Sequence, residues 1–269
     1  MIIDSHVHIG GAALNFNMTE EIVCEVVKKY GIDMVLLSDC DAGEMDHHQK
    51  LVPVEWQIPQ IEILKKDLEI VRRHKDIMRL LVWVRPYNET VTKEFDELIG
   101  ANLDVIKGIK LHPFHSNTAP DSEKARPYLE LAQKYGLPVV SHTGGCEAAS
   151  PIHLYNAAIM FSKIDFVMVH MGLGTDNKEA LDLLGKAPNL YGDTTWVPLT
   201  TILEAYKRYG SKKMIFGSDM PIDGVDTYKC NPKGDPSVYV QYFKGDLGLM
   251  PKEAWDDLYF GNAKRIFEI

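Results

Sequence analysis

Eight apolar runs of strand length, separated by amphipathic segments of helix length, constrain the fold of this chain more than any other feature of its sequence. The runs fall at residues 2–7, 33–37, 77–84, 105–111, 137–142, 166–170, 190–193 and 214–218. Between the first two, residues 19–30 put Ile22, Val23, Val26, Val27 and Tyr30 on one helical face, with Thr19 available as the cap. Residues 62–74 and 93–99 read as further helices. Tyr30-Gly31, Tyr135-Gly136 and Tyr209-Gly210 each end a helical pattern ahead of a strand run, where glycine can take the left-handed conformation of a short αβ loop.

Strands alternating with helices call for a parallel sheet. Eight of them in 269 residues match a (β/α)₈ TIM barrel, expected as one domain over residues 1–269. A doubly wound open sheet would carry fewer strands and a Gly-rich phosphate turn after the first one, whereas here the first run ends in histidines. Stretches 40–59 and 219–237 lack a pattern and are expected as loops over the face where barrel enzymes build their pockets.

The formal charge is −9, with 45% hydrophobic and 25% charged residues, the profile of a globular chain with ample core. Acidic balance argues against nucleic acid or an anionic membrane as partner, because both need a basic face. No run reaches the ~18 apolar residues of a membrane span. Met1-Ile2-Ile3-Asp4-Ser5-His6 has no basic stretch followed by an apolar one, so no secretory signal is expected there. Cys24, Cys40, Cys146 and Cys230 are far apart and unpaired in sequence, which favours reduced thiols and a cytoplasmic setting.

Histidines concentrate where the strands end. His6 and His8 are two apart on the first run, so both side chains point to one side and can converge on one ion. His112, His142 and His170 end the fourth, fifth and sixth runs, and Asp219 follows the eighth. A carboxylate with three or four imidazoles and no thiolate favours zinc, manganese or iron(II) over calcium or magnesium. One divalent ion is expected, with zinc as the first expectation and manganese or iron(II) as alternatives. An open coordination position would give a catalytic site in which Asp219 holds or deprotonates a water.

The pattern resembles the metal-dependent hydrolases of the amidohydrolase superfamily, within it the amidohydrolase-2 group that includes aminocarboxymuconate-semialdehyde-decarboxylase-like proteins. The matching motifs are Ile3-Asp4-Ser5-His6-Val7-His8, Gly108-Ile109-Lys110-Leu111-His112-Pro113, Ser141-His142-Thr143, Val169-His170-Met171-Gly172, Tyr191-Gly192-Asp193-Thr194, Phe216-Gly217-Ser218-Asp219-Met220-Pro221 and Gly261-Asn262-Ala263-Lys264-Arg265-Ile266-Phe267. The resemblance implies a distorted TIM barrel with the metal at its C-terminal mouth. It implies His6, His8, His142 and Asp219 as metal ligands, Asp219 as proton-transferring base, and His170 as a neighbour that orients water or polarises the scissile group. Some members carry a carboxylated lysine bridging two metals; the favoured reading here is one metal and an unmodified Lys110 that meets a substrate carboxylate. Relatives are often dimers or larger, so a homo-oligomer is compatible with the resemblance.

His112 shares parity with Lys110 and is a candidate substrate contact, set against a satisfied buried histidine. Arg85 is a candidate clamp for a substrate carboxylate, set against an ion pair with an acidic loop residue. His47 and His48 lie in a polar stretch and would join the pocket only if that loop folds over it. Cys146 reads as incidental, and residues 168–174 contain no nucleotide fingerprint. The expected activity is hydrolysis of an ester, lactone or amide in a small carboxylate-bearing substrate, with non-oxidative decarboxylation of an aromatic or muconate-type acid as the alternative. A binding protein with a vestigial metal site is the third reading.

Overall fold

The computed structural model describes residues 1–228, 234–243 and 248–269. Its sheet runs β1 (Ile3–Ile9), β2 (Met34–Asp39), β3 (Met78–Trp83), β4 (Ile106–Leu111), β5 (Val139–Gly144), β6 (Phe166–Leu173), β7 (Leu190–Asp193) and β8 (Met214–Ile215), each strand parallel to the next in sequence order. All eight expected runs are strands, and the helices between them make this the distorted TIM barrel. Helices Glu20–Tyr30, Gln60–Arg73 and Lys93–Gly100 cover the segments read as helical, and the Thr19 and Thr92 side chains cap the first and third of them. Gly31 and Gly136, with φ of 66° and 67°, take the left-handed conformation that the Tyr-Gly junctions call for, whereas Gly210 combines a φ of 75° with an extended ψ of −170°.

β8 is shorter than the run 214–218 predicts. After Ile215 the backbone leaves β7 and bonds to β1 instead: Ser5 N donates to Phe216 O at 3.0 Å, Asp219 N to His6 O at 2.9 Å and His8 N to Met220 O at 2.8 Å. These bonds join the first and last strands at the level where His6, His8 and Asp219 project.

Inside the barrel, Ile3, Leu36, Leu81, Val140, Val167 and Ile215 fill the lower part together with Ala263, Ile266 and Phe267 of the C-terminal helix Asn262–Phe267. That helix stops the floor. Val35, Leu37, Leu80, Val82, Val139 and Phe166, from the opposite strand face, pack outward against the helices. β1 needs one adjustment to serve both ends. Its pairing to β2 slips between Asp4 and Val7, where one extra residue enters β1, so Ile3 below and His6 and His8 above all point inward despite their opposite parity.

The expected loop 40–59 is ordered. It holds short helical turns at Cys40–Ala42 and Val54–Trp56, and Met45 bridges to Leu51. Cys230 and part of the expected loop 219–237 lie outside the described residues. Among the described residues, no helix is long and apolar enough to cross a membrane.

Candidate metal centre

His6, His8, His170 and Asp219 meet at the mouth. His6 Nε2 is 2.9 Å from His8 Nε2 and 3.5 Å from Asp219 Oδ1, and His8 Nε2 is 3.1 Å from the same oxygen. Donor atoms of His6, His170 and Asp219 all lie within 4.8 Å of one another. His170 follows an outward-facing Met168 and an inward-facing Val169, so simple alternation would turn it away from the interior. Its left-handed backbone, φ 65°, followed by Met171 at 48°, breaks the alternation and leaves the His170 ring 5.3 Å from that of His6.

Hydrogen-bond partners assign two of the tautomers. His8 Nδ1 faces the Ser38 carbonyl at 3.3 Å and the Ser38 hydroxyl at 3.0 Å, and His170 Nδ1 faces the Thr195 carbonyl at 3.2 Å. A carbonyl can only accept, so both rings carry their hydrogen on Nδ1 and offer a bare Nε2. Burial, with Lys110 and neighbouring rings, holds His6 well below the usual histidine range, and burial above all takes His170 down to about 4. These imidazoles are therefore neutral, the form that binds metal. The Trp196 indole N–H donates to Asp219 Oδ2 at 2.7 Å, leaving Oδ1 to face the histidines.

Donor atoms of His6, His8 and Asp219 thus converge on one small volume, into which His8 turns a bare nitrogen and Asp219 a carboxylate oxygen. Two nitrogens about 2.1 Å from an ion and at right angles are about 3.0 Å apart. The observed separations of 2.9, 3.1 and 3.5 Å fit donors sharing one transition ion. His142 stands next to the group, its ring 4.7 Å from that of His170, and its Nδ1 is buried without a partner. That is a further donor within the site, although its Nε2 faces the Gly144 carbonyl at 3.2 Å.

Above the cluster opens a cavity of about 240 Å³. Trp83, His112 and His142 line it as a stack, with ring centroids 4.5 and 4.2 Å apart, and Leu14, Phe16, Phe114 and Ile222 complete much of the wall. His112 therefore sits where a substrate contact was expected. His47 also lines the cavity, because the loop 40–59 does fold over it. Lys110 and Arg85 do not. Lys110 is fully buried beneath the cluster, with Nζ 3.0 Å from His6 Nε2, and burial lowers its ammonium to about 8 against the pull of Asp219 and Asp193. Arg85 gives its guanidinium to the Ile58 carbonyl, to Gln57 Oε1 at 2.6 Å and to Glu89 at 3.0 Å. Of the two readings of Arg85, this geometry is that of the ion pair with an acidic loop residue, and residues 57 and 58 cover the guanidinium. Thr195 and Trp196, which touch the donors, carried no sequence signal, and Asp193 was marked only by its place in the Tyr191-Gly192-Asp193-Thr194 motif.

Residues 3–269 match the family described as amidohydrolase. The chain belongs to that family. Among curated proteins the sequence finds no match. Solved structures share the amidohydrolase fold at low identity. A 2,6-dihydroxybenzoate decarboxylase from Rhizobium aligns at TM-score 0.72 and 12% identity over 99% of this chain and 98% of its own. A 5-carboxyvanillate decarboxylase from Novosphingobium aromaticivorans, holding manganese and 3-methoxy-4-hydroxy-5-nitrobenzoic acid, aligns at 0.73 and 12% over 100% and 97%. A probable 2-pyrone-4,6-dicarboxylic acid hydrolase from Acinetobacter baumannii, with citric acid bound, aligns at 0.67 and 14% over 100% and 99%.

Proposed function

We propose that this amidohydrolase-family protein is a divalent-metal-dependent decarboxylase acting on a small planar carboxylic acid. The observation that carries the reading is the composition of the cavity wall: aromatic and imidazole rings, with no lysine or arginine among the described lining residues. Hydrolysis of a small carboxylate-bearing substrate is the first expectation, and Lys110 and Arg85 in the pocket would suit a carboxylate substrate of either reaction. Neither cation reaches the cavity, so a substrate carboxylate would instead be drawn down to the donor cluster.

His6, His8, His170 and Asp219 are the proposed holders of the ion, with His142 beside them. A bound divalent ion would supply a Lewis acid for the carboxylate and an adjacent oxygen of the substrate. Manganese is the first ion to test, since it is the metal in the 5-carboxyvanillate decarboxylase of the same fold; zinc and iron(II) suit the same donor types. Trp83 and His112 give a flat wall against which a planar ring stacks. Loss of CO₂ leaves an electron pair on the ring carbon, which must gain a proton; Asp219, ionised at rest, would take that proton from solvent and pass it to the carbon. The cavity's apolar residues keep bulk water from this carbon.

The test is reconstitution of chelator-treated protein with manganese, zinc or iron(II), followed by incubation with panels of hydroxylated aromatic acids, lactones and amides. CO₂ release with the aromatic acids is expected. Turnover of lactones alone would overturn the reading and restore hydrolysis, which the probable pyrone hydrolase of the same fold keeps as the second reading.

A further inference from the structure

The three imidazoles of the cluster are not oriented alike. His8 and His170 have carbonyl partners that force the hydrogen onto Nδ1. His6 Nδ1 faces the Thr195 hydroxyl at 3.2 Å and Asp193 Oδ2 at 3.4 Å, and a hydroxyl can give or take a hydrogen. Asp193 removes that freedom. Thr195 Oγ lies 2.6 Å from Asp193 Oδ2, so the hydroxyl hydrogen is engaged there and only the oxygen's lone pairs face His6. The other carboxylate oxygen accepts from Thr195 N at 3.2 Å and from His170 N at 2.9 Å, which holds the aspartate both from its own segment and from β6. Space is equally constrained. A Cβ on Gly217 would come within 2.9 Å of Thr195 Oγ and 3.0 Å of both Asp193 Oδ2 and His6 Cβ, so glycine lets the segment after β8 close on this contact. On the other edge of the ring, the Lys110 ammonium 3.0 Å from His6 Nε2 is compatible with one tautomer only, the one with a bare Nε2.

We infer that Asp193 is a positioning residue: through the Thr195 hydroxyl it keeps the His6 hydrogen on Nδ1 and so presents the Nε2 lone pair of His6 to the donor cluster. Such outer partners set ring orientation and basicity of metal-binding histidines. The inference rests on the reading of His6 as a donor to a bound ion, and the experiment separates the two. Histidine tautomers are read by NMR on isotope-labelled metal-free protein, and manganese affinity is measured by calorimetry on the same samples, for the natural protein and for Asp193→Asn, Thr195→Val and Thr195→Ser.

In the natural protein and in Thr195→Ser, the His6 hydrogen is expected on Nδ1, with comparable manganese affinity. In Asp193→Asn and Thr195→Val, the ring is expected to populate the other tautomer, and affinity to fall by about 10- to 100-fold. A purely structural role would not separate valine from serine at residue 195. That pair also keeps the inference testable should Asp193→Asn fail to fold. An unchanged His6 tautomer and unchanged affinity in folded Thr195→Val would overturn the inference. Natural protein that binds no ion while the tautomers respond as expected would sink the metal reading and leave the Asp193 role supported.

Discussion

At the floor of the barrel, Ile3, Leu36, Val167 and Phe267 meet only other apolar groups, whereas one layer above, His6, His8, Lys110, Asp193 and Asp219 are equally buried and equally crowded but polar. The floor gains stability from every atom removed from water. The mouth pays for burial in desolvation and in backbone geometry: His170, Met171, Trp196 and Asp219 all hold positive φ, uncommon for residues with a side chain. Strain and unmet charge thus gather where chemistry is proposed, and the apolar layer beneath stabilises the scaffold that holds them.

Three measurements would break or sharpen this contrast. Asp219→Asn touches only the mouth and should lower turnover by about 10²- to 10⁴-fold. Because it removes a buried charge and keeps the shape, its urea midpoint should match or exceed that of the natural protein. A large loss of stability would show that the mouth carries the fold as well. Phe267→Ala touches only the floor and should destabilise the protein by about 3–5 kcal/mol in urea titration. Activity per folded molecule should hold; a loss of turnover in folded protein would show that the two layers are coupled.

The smallest effect concerns the loop that overhangs the mouth. Burial raises the Glu44 carboxyl from 4.5 to about 7, although it accepts the N–H groups of Tyr87 and Asn88 at 3.1 and 2.7 Å. The folded state therefore holds this proton more tightly than the unfolded chain does. Its contribution to stability is complete below pH 4.5 and is lost as pH rises to about 7. Urea midpoints of Glu44→Gln should fall less steeply across that window than those of the natural protein. Parallel slopes would mean that Glu44 does not titrate there.

Much of the architecture was legible because it follows from period. Strand runs and Tyr-Gly junctions are local patterns, and His6-Val7-His8 reports its own geometry once it lies on a strand. His170 illustrates the limit. Its place at a strand end was readable, but its entry into the cluster depends on a left-handed turn that alternation would not suggest. Arg85 and His47 each keep two readings in the sequence for one reason: both depend on how residues 40–59 fold, and that stretch has no repeating pattern. Asp193 and Thr195 reach His170 on the neighbouring β6 and His6 on β1, a relation between segments distant in sequence that local pattern does not record.

The extra residue between Asp4 and Val7 has a consequence for comparing this chain with distant relatives. A strand stores which way each side chain faces as an odd or even count, and this insertion is the point at which β1 changes the count. Removing a single residue there would leave composition, charge and strand length almost untouched while turning either His6 and His8 or Ile3 toward the helices. A one-residue gap in an alignment of this segment therefore marks chains in which either the cluster or the floor beneath it must be built differently, even where both histidines are retained.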